Sequence, residues 1–523
     1  MRNRCIIITL LMILSLLTHH SLASSDKNTQ GELKKQSGEP KEGVDFEESS
    51  LNSDNKKDIG SGNLKENEEK SQLNLTETIL KKINQKGLIN PKLSLRLLKG
   101  QERGLFAKSQ IQKGEALGRI HISDLIVQSQ SIPTFNNQLF PIRNRLTHPD
   151  LTKMVLYLYE EMTKGEGSKW SNFFKLLPKD YSNIGFLIDF EKYEKFITGT
   201  SLYRVLYDTR YYMVQDYKAV KALGISKLAN LTEKQFLEIF CLIKSRSFGV
   251  YIDNKLETIL TPYLDLLNHG SDTVTDWTFD QKSSSFVLYT NTTQDAGQEV
   301  IINYGDDKSN FDLLKDYGFV LPNPKKISFT FVEGLFETDY LYEAKLEMFP
   351  GLKGVVYSYK ADSSFSSTQF LQYTSFLRFK VLSTEKDYNT VQSMKEHLNN
   401  NPYAVYRLQP LSRKNELSML HYLRRVCEAN QGNYKTTLEQ DRRALEEGGY
   451  ADLTERNILK VRIEEREMLE KVIAFCQDMK ALFESEFEAS QDGVRLVLNQ
   501  AGFEKYAKYF KVLQIEKFFL LKL

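Results

Sequence analysis

Cysteine is scarce in this chain, and the few that occur are too far apart for two common kinds of site. Only four are found in 523 residues, as Cys5, Cys241, Cys427 and Cys476, with no C-x-x-C pair. Such spacing gives neither a disulfide framework nor a structural zinc site. No other His or Cys cluster has metal-ligand spacing either, so we expect no bound metal.

The chain also lacks a large excess of charge and a second long apolar run. Its formal net charge is only +2, which creates no general field for attracting nucleic acid or anionic lipid. A membrane-spanning helix needs about 20 apolar residues, and no stretch beyond the N-terminus approaches that length. We therefore expect no nucleic-acid partner and no stable membrane insertion of the mature chain.

The N-terminus has the three parts of a secretory signal peptide. A basic start, "MRNR", precedes the apolar run "CIIITLLMILSLL", and small residues at Ser21 and Ala23 offer a cleavage site. This pattern predicts a signal peptide over residues 1–23. A signal anchor is the alternative, but the run is shorter than a bilayer is thick.

Residues 24–75 differ sharply in composition from everything that follows. They are rich in charged and small polar residues and almost without apolar ones, so they predict a disordered leader. The signal peptide directs the chain to the secretory pathway, with a plastid reached through that route as the alternative. The leader fits a plastid transit segment poorly, because transit segments contain few acidic residues.

What the sequence does contain is enough apolar material for large cores, at 41% hydrophobic and 11% aromatic residues. Leu93, Leu95 and Leu97 alternate as in a half-buried strand, and Lys113-Gly114 marks a turn between two extended runs. The spacing of apolar residues becomes helical from about residue 150, and strand-like alternation returns with "SFVLYT" and "QEVIINYG". The pattern predicts a β domain interrupted by a helical insertion at about 135–245.

The last third of the chain is predicted to be a separate, mostly helical domain. Thr436 and Glu439 have capping-box spacing, and "SRKNELSMLHYLRRVCEANQG" ends at a plausible helix stop, Gly432. An apolar stripe at helical period is typical of a core-facing helix; it consists of Leu469, Val472, Ile473, Cys476 and Met479.

Four motifs occur in order at large separations: "ERGLFAKSQIQKGEAL", "SRSF", "LDLLNHG" and "EVIINYGDDKSNFDLLKDYGFVLPNP". Together they resemble the SET-domain methyltransferases of the Rubisco large-subunit methyltransferase type. "NELSMLHYLRRVC" and "YKTTLEQD" are similar to the C-terminal substrate-binding domain of that family. The resemblance extends from about Lys92 to about Phe483.

The resemblance implies an α+β fold in two parts. A β-rich SET domain with a helical insertion and a knot-like C-terminal threading is expected over residues 76–330. An all-α domain is expected over 331–523, where it would dock a protein substrate. We expect the chain to be a monomer.

The family's cofactor is S-adenosylmethionine, and the resemblance places a short loop against it. That loop comprises Gln101, Glu102, Arg103 and Gly104, which would contact the cofactor mainly through backbone groups. Glycine suits such close approach because it carries no side chain. The family usually has glycine where Glu102 stands, so either the loop accommodates Glu102 or cofactor binding is weaker.

Two further pairs are implied as site residues. Asn268 can both donate and accept, which suits the amine and carboxylate end of the cofactor, and His269 would meet adenine through its backbone. Arg246 and Asp265 would pair nearby or bind the substrate, because a guanidinium matches a carboxylate in shape.

The resemblance assigns catalysis to a tyrosine. Tyr304 matches the family's catalytic tyrosine, and Tyr317 matches a wall of the channel for the target lysine. The implied function is S-adenosylmethionine-dependent methylation of lysine in a non-histone protein. A histidine methyltransferase of the same family is one alternative, although its members lack tyrosine at the position of Tyr317. An inactive SET-like binding module is another, suggested only by Glu102.

Overall fold

The computed structural model describes residues 78–79, 81, 87–97, 103–270, 274–305, 308–397, 401, 403–485 and 503–515. The predicted signal peptide and leader lie outside the described residues, as do the loop positions Gln101 and Glu102. None of the helices in the described ranges is long and apolar enough to cross a membrane. Cys241, Cys427 and Cys476 are buried and free.

Short strands build the first part of the chain. They are β1 (Leu93–Leu97), β2 (Arg103–Ala107), β3 (Ala116–His121), β4 (Ile126–Val127), β5 (Ser247–Ile252), β6 (Lys255–Leu260), β7 (Asn268–His269), β8 (Thr275–Asp280), β9 (Ser285–Thr290) and β10 (Ile301–Ile302). Strands β1 and β2 pair antiparallel, β3-β9-β8 and β4-β6-β5 form two antiparallel sheets, and β7 pairs parallel with β10. The small sheets share one core, in which Leu95, Leu105, Leu264 and Phe286 are buried.

The predicted strand and turn at the start of this domain are confirmed. Leu93 and Leu95 are buried on β1, and Gly114 has a φ of +82°. That left-handed backbone is the one that glycine adopts without strain, so the turn between β2 and β3 depends on it.

The helical insertion separates β4 from β5. Its helices are α1 (Gln128–Ser131), α2 (Asn136–Leu139), α3 (Pro149–Thr163), α4 (Ser171–Leu176), α5 (Glu194–Ile197), α6 (Ser201–Lys221) and α7 (Glu233–Arg246). Helix α3 begins with Pro149, a residue preorganised for the first helical turn. Helix α7 begins with a capping box formed by Thr232 and Gln235, and it ends at Arg246, beside the strands.

The helical C-terminal domain follows α8 (Asn310–Tyr317). The domain is helical but not all-α as predicted, because it also contains a hairpin, β11 (Ser328–Gly334) and β12 (Val356–Asp362), whose strands pair antiparallel. The helices are α9 (Tyr342–Met348), α10 (Thr368–Lys380), α11 (Glu385–His397), α12 (Arg413–Gln431), α13 (Leu438–Glu446), α14 (Leu453–Glu484) and α15 (Ala507–Val512). Gly432 directly follows α12, as predicted, and the stripe on α14 faces the core.

The capping box predicted at Thr436 and Glu439 is wrong by one residue. Thr437 is the cap of α13, and its reciprocal partner is Gln440. The Thr436 hydroxyl is used elsewhere, because it donates to Asp441 at 2.6 Å and accepts from Arg462 Nη2 at 2.6 Å.

Helix α14 connects the two parts of the molecule. Ile458 and Leu459, in its first half, pack into the core of the insertion, whereas Phe475 and Met479 pack into the core of the C-terminal domain. Between them, the carboxylate of Glu465 accepts from the backbone N–H groups of Ser201 and Leu202 at 3.0 and 2.9 Å. These are the first residues of α6, so a side chain from one domain caps a helix of the other.

Candidate active site

The parallel pairing of β7 with β10 brings the predicted site residues together. Asn268 lies opposite Ile301 and His269 opposite Ile302, and the N–H of Tyr304 donates to His269 Nδ1 at 3.1 Å. The preceding turn is anchored because Leu264, Leu266 and Leu267 are buried. The polar pair therefore emerges from the core at a fixed position, next to Tyr304.

The side-chain amide of Asn268 has a fixed orientation. Its Nδ2 donates to the carbonyl oxygen of Arg103 and to Glu299 Oε1, both at 2.8 Å. A flipped amide would direct its oxygen at two groups that only accept hydrogen bonds. The Asn268 Oδ1 is therefore the atom that can accept a hydrogen bond from a ligand.

Gly104 and Glu299 complete this side of the site. A Cβ atom on Gly104 would lie 2.4 Å from Glu299 Oε1 and 3.2 Å from Asn268 Nδ2, so a larger residue would have to displace the Glu299 carboxylate from Asn268. The Arg103 side chain turns away and donates to the carbonyl of Leu176 at 2.8 Å. Sequence reasoning missed Glu299, since nothing in its spacing from Asn268 indicates a contact.

Four rings form what we call the aromatic cluster: His269, Tyr304, Tyr317 and Phe319. Tyr304 and Tyr317 stack with centroids 4.6 Å apart, and His269 lies 5.0 Å from Tyr304. Phe319 closes the group, 6.2 Å from Tyr317 and 6.0 Å from His269. Sequence reasoning also missed Phe319, which follows the left-handed residue Gly318 at the end of α8.

The aromatic cluster is electrically neutral at ordinary pH. Burial raises the pKa of Tyr304 and of Tyr317 well above the usual tyrosine value. The Tyr304 hydroxyl keeps its proton and donates it to the Leu267 carbonyl at 2.9 Å, which leaves its oxygen free to accept. Burial lowers the pKa of His269, and its Nδ1 already accepts from a backbone N–H, so the ring is neutral with its proton on Nε2.

A partly buried ion pair lies beside the cluster. Arg246 Nη1, at the end of α7, is 2.8 Å from Asp265 Oδ2. Burial works to lower the pKa of Arg246, but Asp265 together with Tyr181 and Tyr304 outweighs it, so the pKa stands above its ordinary value. Arg246 Nε is buried and has no hydrogen-bond partner among the described residues. The pair that the sequence indicated is formed, and one donor of it stays available.

The structure thus brings together Arg103, Gly104, Asn268 and His269 with the tyrosines and the ion pair. Gln101 and Glu102 precede this group but lie outside the described residues. Within the described ranges, no group of three or more His, Cys, Asp or Glu residues is arranged to hold a metal ion.

Two family models match the chain in succession. The SET domain model matches residues 102–305, and the Rubisco LSMT substrate-binding model matches residues 337–469. The first match lies inside the range 76–330 predicted for the SET domain, and the second lies inside 331–523.

Curated relatives are members of the same family. The chain is 27% identical over 340 residues to the [fructose-bisphosphate aldolase]-lysine N-methyltransferase, chloroplastic, of Arabidopsis thaliana, covering 62% of this chain and 68% of that protein. It is 26% identical over 390 residues to the Nicotiana tabacum ribulose-1,5 bisphosphate carboxylase/oxygenase large subunit N-methyltransferase, chloroplastic, covering 71% and 74%.

Among solved structures, the fold is similar to Rubisco LSMT bound to AdoMet, with a TM-score of 0.63 and 20% identity over 82% of this chain and 97% of that one. It is also similar to the SET domain of LSMT bound to lysine and AdoHcy, with a TM-score of 0.64 and 18% identity over 84% and 98%. With both domains matched in order and the fold shared, this chain belongs to the SET-domain methyltransferases of the Rubisco large-subunit methyltransferase type.

Proposed function

We propose that the protein is a monomeric, S-adenosylmethionine-dependent protein-lysine N-methyltransferase that acts on a non-histone protein. The observation that carries the proposal is the neutral aromatic cluster, in which the Tyr304 hydroxyl is fixed by the Leu267 carbonyl. A neutral site with a fixed acceptor can hold an uncharged amine in line for displacement. The named relatives are lysine and large-subunit N-methyltransferases, which supports the same class of reaction.

The residues around Asn268 fit the amino-acid end of the cofactor. When bound, S-adenosylmethionine supplies an electrophilic methyl group attached to a sulfonium. Asn268 Oδ1 accepts from the cofactor's ammonium, because both Nδ2 hydrogens are used by Arg103 and Glu299. Gly104 allows backbone approach where a side chain would collide with Glu299. Residues Gln101 to Gly104 line the cofactor, and His269 meets adenine through its backbone.

The aromatic cluster handles the target lysine. Tyr304 is too hard to ionise to serve as a base, since burial raises its pKa, so it orients the amine through its free lone pair. Tyr317 and Phe319 wall the aliphatic stem. Lysine arrives protonated from water, and desolvation against these rings lowers its pKa toward the neutral, nucleophilic form.

Arg246 and Asp265 bind the substrate backbone next to that lysine. Their mutual ion pair fixes the guanidinium, and Arg246 Nε is the buried donor without a partner in the described residues. A carbonyl group of the substrate supplies the missing acceptor. Burying that donor without any partner costs roughly 1–3 kcal/mol, so substrate binding removes an existing penalty.

Tyr317 favours lysine over the alternative target, histidine, because a stacked tyrosine pair suits a narrow, flexible alkyl chain. An inactive binding module remains the alternative from a different class, and Glu102 is the residue that suggests it. Cofactor binding separates the two readings directly.

The test uses the purified full-length chain, methyl-labelled cofactor and cell extract. We expect cofactor binding by calorimetry, label in protein, and methyllysine after hydrolysis. Label found only in methylhistidine would favour the histidine alternative. Absence of both cofactor binding and labelled product would contradict the enzyme assignment.

We further propose that residues 1–23 direct the chain into the secretory pathway, with a plastid as the alternative destination. The two plant relatives are named chloroplastic, which supports the alternative. A fusion of residues 1–75 to a fluorescent reporter tests the destination of the protein in the cell. Diffuse cytosolic signal with an uncleaved N-terminus would contradict both destinations.

A further inference from the structure

One face of α12 carries an open groove in the helical C-terminal domain. It has a volume of about 1060 Å³. Apart from one residue after α10, its walls come from pairs of adjacent α12 positions that recur every four residues and so share one side of the helix. The lining residues are Val381, Arg413, Lys414, Leu417, Ser418, His421, Tyr422 and Arg425. We call this surface the α12 groove.

The fixed charge in the α12 groove is entirely positive. Within the described part of the chain, Arg413, Lys414 and Arg425 have no carboxylate at ion-pair distance. The neighbouring cation Arg424 is different, because it pairs with Glu428 at 2.7 Å. Since the whole chain has a net charge of only +2, three unpaired cations on one surface are a local arrangement.

The acidic residue of this part of α12 is withdrawn from the groove. Glu416 is buried on the opposite face, where its carboxylate pairs with Arg378 at 2.6 Å. The Tyr422 hydroxyl, at the groove wall, donates to Glu333 Oε2 at 2.9 Å. Both acids are therefore satisfied internally, and the cations alone face the groove.

The dimensions suit a peptide segment. Small-molecule pockets usually have about 300–1,000 Å³ and are enclosed, whereas this groove is open. Arg413 and Arg425 are separated by about 18 Å along the helix axis at 1.5 Å per residue. An extended segment of about six residues covers that distance. Val381 and Leu417 offer apolar contact between the charged ends.

We propose that the α12 groove docks an acidic, extended segment of the protein substrate. That the segment belongs to the methylated protein rests on the proposed function. The charge complementarity between the groove and an acidic segment does not depend on it. A nucleic acid fits less well, since specific or non-specific binding commonly involves about 6–10 phosphate contacts, and Tyr422 is held by Glu333 rather than free for base stacking.

Fluorescence anisotropy with the full-length protein tests the groove. The probe is a capped, labelled hexaglutamate peptide, with hexaglutamine as the uncharged comparison. We expect hexaglutamate alone to bind, and more weakly as salt rises, because exposed charges are screened. The triple variant Arg413→Gln, Lys414→Gln, Arg425→Gln should weaken binding about tenfold, as three exposed pairs are lost.

The matched control removes three other exposed cations from the same domain. Arg424→Gln, Lys435→Gln and Lys480→Gln lower the net charge equally, and their partners are Glu428, Glu194 and Glu484. The dissociation constant of this control for hexaglutamate should stay within about twofold of that of the unaltered protein. If both triple variants lost the same affinity for hexaglutamate, the binding would depend on net charge alone, and the proposal would be overturned.

Two further experiments distinguish an acidic peptide from other ligands of the groove, and substrate docking from methyl transfer. Tighter binding of oligothymidylate or of anionic phosphatidylserine vesicles than of hexaglutamate would overturn the acidic-peptide assignment. With labelled cofactor and cell extract, the groove variant should label protein less while binding the cofactor normally. An unaltered protein that binds hexaglutamate but transfers no methyl group contradicts the proposed function and supports the groove.

Discussion

The described residues include two clusters of stacked tyrosines, one at the candidate site and one inside the C-terminal domain. Tyr304 and Tyr317 stack at 4.6 Å in the aromatic cluster. In the C-terminal core, Tyr359 stacks on Tyr373 at 5.0 Å, and Tyr373 on Phe331 at 4.9 Å. By ring geometry and by their raised pKa values the two clusters are alike.

The difference lies in the hydroxyl groups. The Tyr304 hydroxyl donates to the Leu267 carbonyl, and the ring is half-buried beside the Asn268 amide and the Arg246–Asp265 pair. Tyr373 is fully buried, and its hydroxyl has no hydrogen-bond partner among the described residues. Aromatic stacking is therefore shared by core and site, while a fixed hydroxyl next to available polar groups marks the site.

The largest expected effect comes from removing the fixed hydroxyl. Tyr304→Phe should lower turnover on the order of 10²-fold, as loss of one positioned polar group does in other active sites. One hydrogen bond is lost, so the free energy of unfolding should fall by only about 0.5–1.5 kcal/mol. Single-turnover methyl transfer and chemical denaturation measure the two quantities. Normal turnover in this variant would mean that Tyr304 is not the catalytic residue.

The next effect separates cofactor binding from chemistry. Asn268→Ala removes the acceptor for the cofactor's ammonium, and we expect a loss of about 1–3 kcal/mol in binding. This corresponds to roughly 5- to 150-fold weaker affinity in calorimetry. Tyr304→Phe serves as the control, because it should bind the cofactor as the unaltered protein does. Unchanged affinity after Asn268→Ala would remove Asn268 from the cofactor site.

A smaller effect tests the orientation of that amide. Glutamine at position 299 can donate as well as accept, so Glu299→Gln leaves the Arg103 carbonyl as the remaining acceptor that orients the Asn268 amide. We expect about fivefold weaker binding of S-adenosylhomocysteine, or about 1 kcal/mol. Binding of 5′-methylthioadenosine, which lacks the amino-acid end, should not change. Equal losses for both ligands would assign Glu299 a structural role only.

The smallest effect is expected in the other tyrosine cluster, and it has the opposite sign. Tyr373→Phe removes a buried hydroxyl without a partner and creates no cavity, so the free energy of unfolding should rise by about 1 kcal/mol. Turnover should be unchanged. A destabilised variant would indicate that this hydroxyl is hydrogen-bonded in solution, and the contrast between the two clusters would then disappear.

Most residues of the candidate site could be named from the sequence because they lie in contiguous motifs that resemble those of the family. "LDLLNHG" contains Asp265, Asn268 and His269, and "NYG" contains Tyr304, so the resemblance of two short motifs was enough to predict them. The Arg246–Asp265 pair was anticipated from chemistry, and the structure forms it.

The residues that were missed are those whose contacts depend on folding. Glu299 contacts Asn268 across 31 positions through the pairing of β7 with β10. The capping error at Thr436 has the same origin, since its hydroxyl is held by Arg462 from α14. The α12 groove was also invisible, because a sequence shows where cations occur but not which of them are already paired.

The cap that Glu465 provides for α6 makes the two matched domains one unit of folding. Without α14, the N–H groups of Ser201 and Leu202 lose their acceptor, and the insertion loses Ile458 and Leu459 from its core. The insertion in turn supports Arg246, at the end of α7. A chain divided at residue 330 would therefore separate the two matched domains but break a single cooperative structure. Its N-terminal half would keep the Thr200 cap of α6 but lose the acceptor of two further N–H groups and part of its core.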